Sequence, residues 1–530
     1  KENTVHSMTI TKVNDNNTCK ARIVALGNRQ SENTHTETSY AQVNVLSLRI
    51  LLHICLLRDM IPQQADVSSA FLSENLNEVL YIRFRRETYR LKKCLYGLRQ
   101  AGFMFYKKLS NLLLNQGFQQ CHGDDPCVYF RKEPNNFLSI IGVLTDDLLF
   151  CMESDKIQGV VNNLRKNGLK IPAINQIFKY NGLEIHYDSL NHTLEINQTV
   201  LIKQMIFDLK DKGYNVTPQN DLPEAIFLDD EDTEPVQKRF YQSLVGSLNW
   251  ISQMSRPDIT HIVSRAATVN NKPNKNHLDI LLQLYGYLEA TTDKVMLYRR
   301  PKDNLPNVTV FTDSDFISRG TEENLQTGNL QQNTTSQAGI VIMMNETGIY
   351  WNSKKQPCPT NSVCAAEIVA ANMVYEAAIP ILSLYHTLGY PMTRTIHFID
   401  NEAAIKAVTS ERTLPVMKAL DRKYTLLKHY IDKLRTHLCY VESRNNLADY
   451  LTKSIGDVKL NKADIKKQID TVMGHGFTSK EDYLAHIQNL FSAENLKKGG
   501  EWSNYQNITN YQDLQDRRHE DRQSAINPYW

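Results

Sequence analysis

Hydrophobic and polar positions change their spacing several times along this chain, and each change predicts a different element. Residues 21–26 form a short strand-like run behind the polar turn 14–18, and 43–57 form an apolar helical stretch. Two β-rich segments follow, around Asp66 and around Asp146, each a short apolar run with carboxylates at its end or in a turn. Between them, 101–116 reads as an amphipathic helix. Over 199–300 apolar residues recur at helical spacing, as in 241–254 and 278–288, with Pro235, Pro257 and Pro273 as breaks. Strand patterns return at 308–311, 339–343 and 395–399, alternating with helical ones at 365–384, 402–408 and 417–434. That alternation predicts an α/β domain over 305–455. The Gln-, Asn-, Thr- and Ser-rich segment 321–337 reads as an exposed loop. Helices are predicted at 460–472 and 480–497, and a polar tail from Gly499.

Composition narrows the class. A length of 530 residues suggests roughly three or four domains. Lys plus Arg total 60 and Asp plus Glu total 58, a net charge of +2. This argues against a histone-like or polybasic arm that binds by bulk charge. A nucleic-acid enzyme stays open, because catalytic carboxylates offset basic grooves in the sum. Apolar residues at 41% and charged residues at 22% are ordinary for a globular chain. No run approaches the roughly 18 unbroken apolar residues of a membrane span; the longest candidate, 137–150, is cut by Thr145, Asp146 and Asp147. No membrane partner is expected. The polar start lacks a signal-peptide pattern, and a chain beginning at Lys1 is expected to be a fragment or a piece cut from a larger polyprotein. The nine cysteines are scattered, odd in number and free of CxxC pairs, so a reducing, intracellular setting is expected, without a disulfide framework or zinc site.

Two sets of carboxylates carry the candidate chemistry. Asp66 lies in Gln64–Leu72, and the pair Asp146-Asp147 sits between two apolar runs, in the turn of a hairpin. Asp is a common turn residue, and a single such turn needs no function. The set also suits divalent metals: two Mg²⁺ ions roughly 3.5–4 Å apart can activate a hydroxyl and stabilise a leaving pyrophosphate, and hard Mg²⁺ takes oxygen ligands. The second set is Asp313 at a strand end, Glu367 on a helix, Asp400 at a strand end before a helix, and Asp449 on a helix. Any one of them could be a surface carboxylate or a helix N-terminal Asp. Together they form an ordered D-E-D-D set.

The residues around these acids resemble the reverse transcriptase and RNase H regions of Ty1/copia-type LTR retrotransposons. Lys20–Gly27 resembles the fingers motif KARLVAxG, Leu80–Arg83 the run after the first acid, Cys94–Ala101 the motif SLYGLKQ, and Tyr180–Ile185 the segment FLGIEI. Tyr241–Trp250 and Ser255–Ile259 resemble YRSLVGSLLYL and TRPDI, Ile349–Gln356 resembles ISWKSKKQ, and Ala448–Lys453 resembles ADILTK. The resemblance covers roughly 10–455, and the last 75 or so residues have no counterpart. Three departures stand out. Leu144-Thr145-Asp146-Asp147 stands where the family has YVDD, the tryptophan after SLYGLKQ is absent with Phe105 nearby, and Arg422-Lys423-Tyr424-Thr425 lacks the histidine of KHID, with His429 a few residues on.

The resemblance implies an α+β right-hand polymerase followed by an α/β RNase H-like domain. Fingers and palm would span 1–190, a mainly helical thumb/connection 191–304, the RNase H-like domain 305–455 and a C-terminal extension 456–530. It implies RNA-directed DNA synthesis with cleavage of the RNA in the hybrid, by two-metal chemistry with Mg²⁺, or Mn²⁺ in its place, two ions per active site. Asp66, Asp146 and Asp147, and then Asp313, Glu367, Asp400 and Asp449, would be the catalytic metal ligands. Asp315 competes with Asp313, which its motif position favours. Lys20 and Arg22 would contact the incoming triphosphate, Phe71 would be the steric gate and Gln100 would lie near template or nucleotide. A solvated strand face accounts equally for Lys20 and Arg22, and core packing for Phe71. Arg256 is either a contact to the nucleic-acid backbone or half of a structural ion pair. The implied partners are RNA template, DNA primer, RNA–DNA hybrid and dNTPs, with integrase, capsid and a second copy of the chain beyond these. The implied setting is a cytoplasmic virus-like particle, with cDNA delivered later to the nucleus. Two other readings are a degraded or domesticated copy that binds RNA or assembles particles without catalysis, and a nuclease acting through the second acid set alone.

Overall fold

A computed structural model describes residues 3–13, 19–35, 37–134, 137–225, 227, 233–316, 335–390, 395–409, 421–434, 436–453 and 461–490. The turn 14–18, most of the loop 321–337, the stretches 417–420 and 491–497 of two predicted helices, and the tail with Tyr505, Tyr511 and Trp530 lie outside the described residues. The chain divides into two compact units, Lys1–Cys55 with Met60–Ile177, and Leu56–Asp59 with Phe178–Trp530.

In the first unit, β1 (Thr4–Val13), β2 (Cys19–Ala25), β4 (Tyr81–Phe84) and β5 (Glu87–Arg90) form a sheet in the order β2-β1-β4-β5. A second sheet joins β3 (Gln63–Asp66), β6 (Gln119–Cys121), β7 (Asp125–Lys132), β8 (Leu138–Leu144), β9 (Asp147–Cys151) and β10 (Asn175–Gln176) in the order β10-β3-β9-β8-β7-β6. Three helices accompany these sheets: α1 (Val45–Leu57), α2 (Ala101–Leu114) and α3 (Ser154–Lys166). β8 is apolar at nearly every position and buried over Ser139–Val143, the pattern of a strand covered on both faces. Gly142 lies under the Leu51 side chain of α1, and the Cys151 thiol donates to the Leu51 carbonyl. The two helices and the strands predicted here are all present.

The second unit opens with β11 (Lys179–Tyr180), β12 (Leu183–Asp188) and β13 (Thr193–Asn197). Four helices follow: α4 (Thr199–Asp211), α5 (Lys238–Met254), α6 (Thr260–Thr268) and α7 (Lys275–Ala290). Tyr241, Leu248 and Ile251 of α5 and Leu281, Leu284 and Leu288 of α7 form the centre of their core. The stretch predicted as mainly helical ends differently, because Met296–Arg299 is β14, paired antiparallel with β13. Four residues of alternating burial are too few to stand out from helical spacing.

Beyond it, β15 (Val308–Asp315), β16 (Gln337–Met344), β17 (Thr347–Lys355), β18 (Ile396–Ile399) and β19 (His437–Tyr440) form a sheet in the order β17-β16-β15-β18-β19. The β17-β16-β15 pairs are antiparallel, and β15-β18-β19 are parallel. Helix α8 (Val363–Thr387) packs on β15 and β16, and α9 (Glu402–Thr409) and α10 (Asp421–Lys433) pack on α8. α8 is long and apolar enough to cross a membrane, but 72% of its most apolar window is buried, as in a core helix. Two further helices, α11 (Lys462–Val472) and α12 (Lys480–Leu490), close the described chain. The Leu297 amide of β14 donates to the Met473 carbonyl just after α11. The fold class is the one expected, an α+β right-hand polymerase class followed by an α/β RNase H-like domain.

Arg256 resolves to the structural alternative. It is 1% exposed, and its guanidinium meets Asp258 at 3.0 and 2.7 Å. It also donates to the Thr291 carbonyl at 3.0 Å and the Thr291 hydroxyl at 2.7 Å, while the Tyr287 hydroxyl donates to Asp258 at 2.8 Å. The residue is enclosed and has no face left for a nucleic-acid strand. Removing one partner of a buried pair leaves the other charge uncompensated. Arg256→Met is therefore expected to cost about 3–5 kcal/mol, read as a lowered denaturation midpoint, and unchanged stability would refute this account.

Candidate active sites

The first site grows from strand register. β3 pairs with β9 so that Asp66 lies opposite Asp147, and the Val67 amide donates to the Asp146 carbonyl at 2.9 Å. Alternation turns Ala65 into the core and Asp66 outward at the strand end. Asp146 sits in the β8–β9 turn beside Thr145, which has a left-handed φ of 55°. That conformation is uncommon for a β-branched residue. The Thr145 hydroxyl accepts from Gln42 at 2.8 Å, which pins the turn. Burial raises the Asp146 carboxyl, the Asp66 charge adds to this, and Arg22 opposes it. Asp147 is pushed up to about 6, by burial first and then by the Asp146 and Asp66 charges.

From β2, Arg22 comes close enough to act on the Asp146 carboxyl, whereas no described contact ties Lys20 to the acids. Lys20 and Arg22 are exposed, and the Arg22 guanidinium lies 5.5 Å from the centre of the Tyr96 ring. Half-buried Phe71 packs against Tyr96 at 4.7 Å and Phe105 at 6.2 Å between ring centres. Burial, and then the Asp146 charge, raises the Tyr96 hydroxyl. Gln100 is only 2% exposed. It accepts from the Gln30 amide at 2.9 Å and donates to the Thr34 carbonyl at 3.3 Å, so it ties two loops together from inside. Gly27 and Gly97 bring the two motif segments into backbone contact: a Cβ on either would lie 2.1 Å from a carbonyl oxygen of the other segment. Gly97 also has a φ of 90°.

The second site lies at the centre of the β17–β19 sheet. Asp313 on β15, Glu367 on α8 and Asp400 after β18 bring three carboxylate oxygens within 4.8 Å of one another. Among the described residues this is the one group of three His, Cys, Asp or Glu that closes so tightly. Asp449 opens the short 3₁₀ turn Asp449–Leu451 rather than a helix, and it is fully buried. The Thr452 hydroxyl donates to Asp313, and Lys453 pairs with Asp449 and lies 3.8 Å from Asp313. Ser443 donates to Asp400 at 2.7 Å, and the Ser314 amide donates to Glu367 at 3.2 Å. Asp315, two residues beyond Asp313, is partly exposed and lies within range of the Arg265 charge.

Burial comes first among the forces on these groups, and their mutual repulsion adds to it. Asp400 is pushed up to about 7 and Asp449 to about 8, each by burial and then by Asp313. Glu367 is raised well above its ordinary value by burial, then by Asp313 and Asp400. Lys453 is raised by Asp313 and Asp449 against the effect of its own burial. One buried ammonium faces four carboxyl groups, so ionising all of them leaves negative charge that Lys453 alone does not balance. Glu367 Oε2 and Asp449 Oδ2 are buried without a hydrogen-bond partner. Hard oxygen donors, spare negative charge and unpartnered oxygens are what a divalent ion requires.

Several residues of these sites escaped the sequence reading. Tyr96, Thr452 and Lys453 lie inside the quoted motifs but had no role assigned. The spacing of Asp449 and Lys453, four apart, is a usable signal for an ion pair on a helical turn. Ser443 and Gln30 carry no local signal, because their partners come from distant segments. At the KHID position Tyr424 is buried and donates to the Ala407 carbonyl at 3.0 Å, while His429 is exposed on α10.

Comparison with known proteins agrees with the motifs. Residues 2–220 match the family described as reverse transcriptase (RNA-dependent DNA polymerase). The chain is 25% identical over 471 residues to a retrovirus-related Pol polyprotein from transposon TNT 1-94 of Nicotiana tabacum, covering 85% of this chain and 34% of that polyprotein. It is 24% identical over 457 residues to the Pol polyprotein from transposon RE1 of Arabidopsis thaliana, covering 83% and 30%. It is 25% identical over 482 residues to the Transposon Ty1-ER2 Gag-Pol polyprotein of Saccharomyces cerevisiae, covering 85% and 26%. The chain thus spans about a third or less of the relatives it matches. Among solved structures it is similar to a foamy viral protease-reverse transcriptase in complex with RNA/DNA hybrid, at a TM-score of 0.48 and 12% identity, over 86% of this chain and 52% of that one. Residues 2–220 thus match the reverse transcriptase family, and the chain is similar over most of its length to Pol polyproteins of Ty1/copia-type retrotransposons.

The raised carboxyls fix a pH dependence. A carboxyl whose folded value lies above its unfolded one keeps its proton longer in the folded state, so stability falls as pH rises from the unfolded value through the folded one. For Asp400 that window runs from 3.8 to about 7, and for Asp449 from 3.8 to about 8. Buried Glu346, at the β16–β17 turn, is pushed up to about 7 by burial and acts in the same direction. Without divalent ions, the melting temperature of the second unit is expected to fall between pH 5 and pH 8. Asp400→Asn removes part of that fall and raises the melting temperature at pH 8. A melting temperature that climbs over this range in metal-free buffer would contradict the assignment.

Proposed function

We propose that this chain is an RNA-directed DNA polymerase that also cleaves the RNA strand of an RNA–DNA hybrid. The observation that carries the first half is the register setting Asp66 opposite Asp147, within the segment that matches the reverse transcriptase family. The second half rests on the Asp313, Glu367 and Asp400 cluster with Asp449 beside it. Its substrates are an RNA template with a DNA primer and dNTPs, then the hybrid product. Its setting is the particle of the element that encodes it.

In this reading Asp66, Asp146 and Asp147 would hold Mg²⁺ in the first site, and Asp313, Glu367, Asp400 and Asp449 in the second. When bound, paired divalent ions activate the attacking oxygen and stabilise the leaving one. The chain's own residues do the rest. Arg22 offers a fork of donors to a triphosphate entering beside the exposed Asp66. Phe71, backed by Tyr96 and Phe105, gives a rigid ring edge against which a ribose 2′-hydroxyl would clash. Gln100 acts from beneath, by fixing the loops that carry Gly27 and Arg99, since the Arg99 side chain donates to the Gly27 carbonyl at 2.8 Å. In the second site Thr452 and Ser443 hold Asp313 and Asp400, and Lys453 offsets part of the repulsion until metal binds.

Primer extension on poly(rA)/oligo(dT) with Mg²⁺ or Mn²⁺, run beside cleavage of a labelled hybrid, tests both halves. Asp146→Asn is expected to reduce extension to background and leave cleavage intact, and Asp400→Asn to do the reverse. No extension by the unchanged chain with either ion would sink the polymerase reading. Cleavage that survives Asp400→Asn would sink the second assignment.

A further inference from the structure

We propose that the C-terminal extension completes the second carboxylate site, with Gln468 as a positioning residue that holds Asp400 through Ser443. The inference rests on the hybrid-cleaving reading of that site. It concerns a segment for which the motifs offered no counterpart.

The argument starts from the sequence of α11. Its N-cap is Asn461, whose side chain accepts from the Ala463 amide. Ile465, Gln468, Ile469 and Val472 form its buried stripe at helical spacing. A glutamine in the middle of an apolar stripe is costly unless its amide finds partners. Gln468 is 1% exposed, and its Nε2 donates at 3.3 Å to the carbonyl of Ser443 and at 3.3 Å to that of Arg444.

Those carbonyls belong to the 3₁₀ turn Ser443–Asn445, which follows β19. The same turn carries the hydroxyl that donates to Asp400 at 2.7 Å. Its far side is tied to β15, where Asn446 donates to the Thr312 carbonyl at 2.9 Å, one residue before Asp313. α11 also packs against the turn Asp449–Leu451, which carries the fourth acid. The turn that orients Asp400 is thus gripped from two sides, by β15 and by Gln468.

Asp400 is the partly exposed member of the close trio, while Asp313 and Glu367 are buried. Its direction is the one most open to change, and besides its hydrogen bond with Asp313 it is held by Ser443 from outside the trio. Freeing the two carbonyls of the turn would let Ser443 swing and Asp400 turn away from Asp313 and Glu367, which repel it. A second partner of a metal ligand typically contributes 10–100-fold in metal affinity or activity. A glutamine that merely satisfied a core would change stability without touching the metal response.

The test uses the full chain with Gln468→Met, which keeps length and volume but removes the donor, Ser443→Ala, and the double variant. Cleavage of a labelled hybrid is followed against Mg²⁺ concentration, and primer extension reports on the rest of the fold. The Mg²⁺-induced rise in melting temperature is measured in an Asp146→Asn background, which silences the first site. Gln468→Met is expected to raise the Mg²⁺ midpoint for cleavage about tenfold, to shrink the Mg²⁺-induced melting shift and to leave extension unchanged. Ser443→Ala gives the same pattern, and the double variant is no worse than Ser443→Ala alone, as for two residues acting through one contact. Gln468→Asn, which keeps the amide but shortens its reach, gives the same readings and replaces Gln468→Met if that variant fails to fold.

An unchanged Mg²⁺ midpoint in the Gln468 variants, or losses that add in the double variant, overturns the positioning role. If the unchanged chain does not cleave hybrid, it is the hybrid-cleaving reading that fails. The melting shift then still decides the role of Gln468, which falls if the shift is equal with and without the substitution or absent altogether.

Discussion

Mutual repulsion among buried carboxylates is the constraint that the second unit is organised around. Three acids within 4.8 Å and a fourth beside them would separate if their backbones were free to move. They are set on the stiffest parts of the domain: the central strand β15, the long core helix α8, the end of parallel strand β18, and a turn locked by Thr452 and Lys453. The first unit handles the same problem with less enclosure. Asp66 is exposed, Asp146 and Asp147 are half-buried, and Arg22 lies close enough to oppose the rise of Asp146. Register rather than burial keeps those acids adjacent.

What the sequence made legible was local. The Asp146–Asp147 hairpin could be read because apolar runs flank a polar turn, and the strand–helix alternation after residue 305 announced the α/β domain. The four acids of the second site were legible as an ordered set of motif positions. What could not be read depended on partners far along the chain. Gln100 was expected near template or nucleotide, yet it is buried with Gln30 and Thr34 as partners. Arg256 could be paired with Asp258 from spacing alone, but its burial depends on Thr291 and Tyr287. β14 escaped notice because four residues carry too little pattern and its partner β13 precedes four helices. Lys453 sat within a quoted motif, but a role for it requires knowing that Asp313 and Asp449 face it together.

The two glycines 27 and 97 show the same limit from the other side. Each looks like an ordinary turn residue in isolation. Their meaning is that two backbones touch where no side chain fits, so the end of β2 and the loop before α2 form one piece. Through it Arg22, Tyr96 and Phe71 share a single rigid support. The aromatic contact and the cation over the ring are consequences of that close approach.

The hydrogen bond from Leu297 to Met473 orders events in time. A ribosome delivers the first unit whole once Ile177 has emerged, apart from the short Leu56–Asp59 segment grouped with the second unit. The β11–β14 sheet, by contrast, presents an unfinished edge at β14 until the chain near Met473 arrives. Unpaired edges are where growing chains make wrong contacts. During synthesis the first unit is therefore finished early, while the second keeps the β14 edge open until nearly all of its described residues have been made.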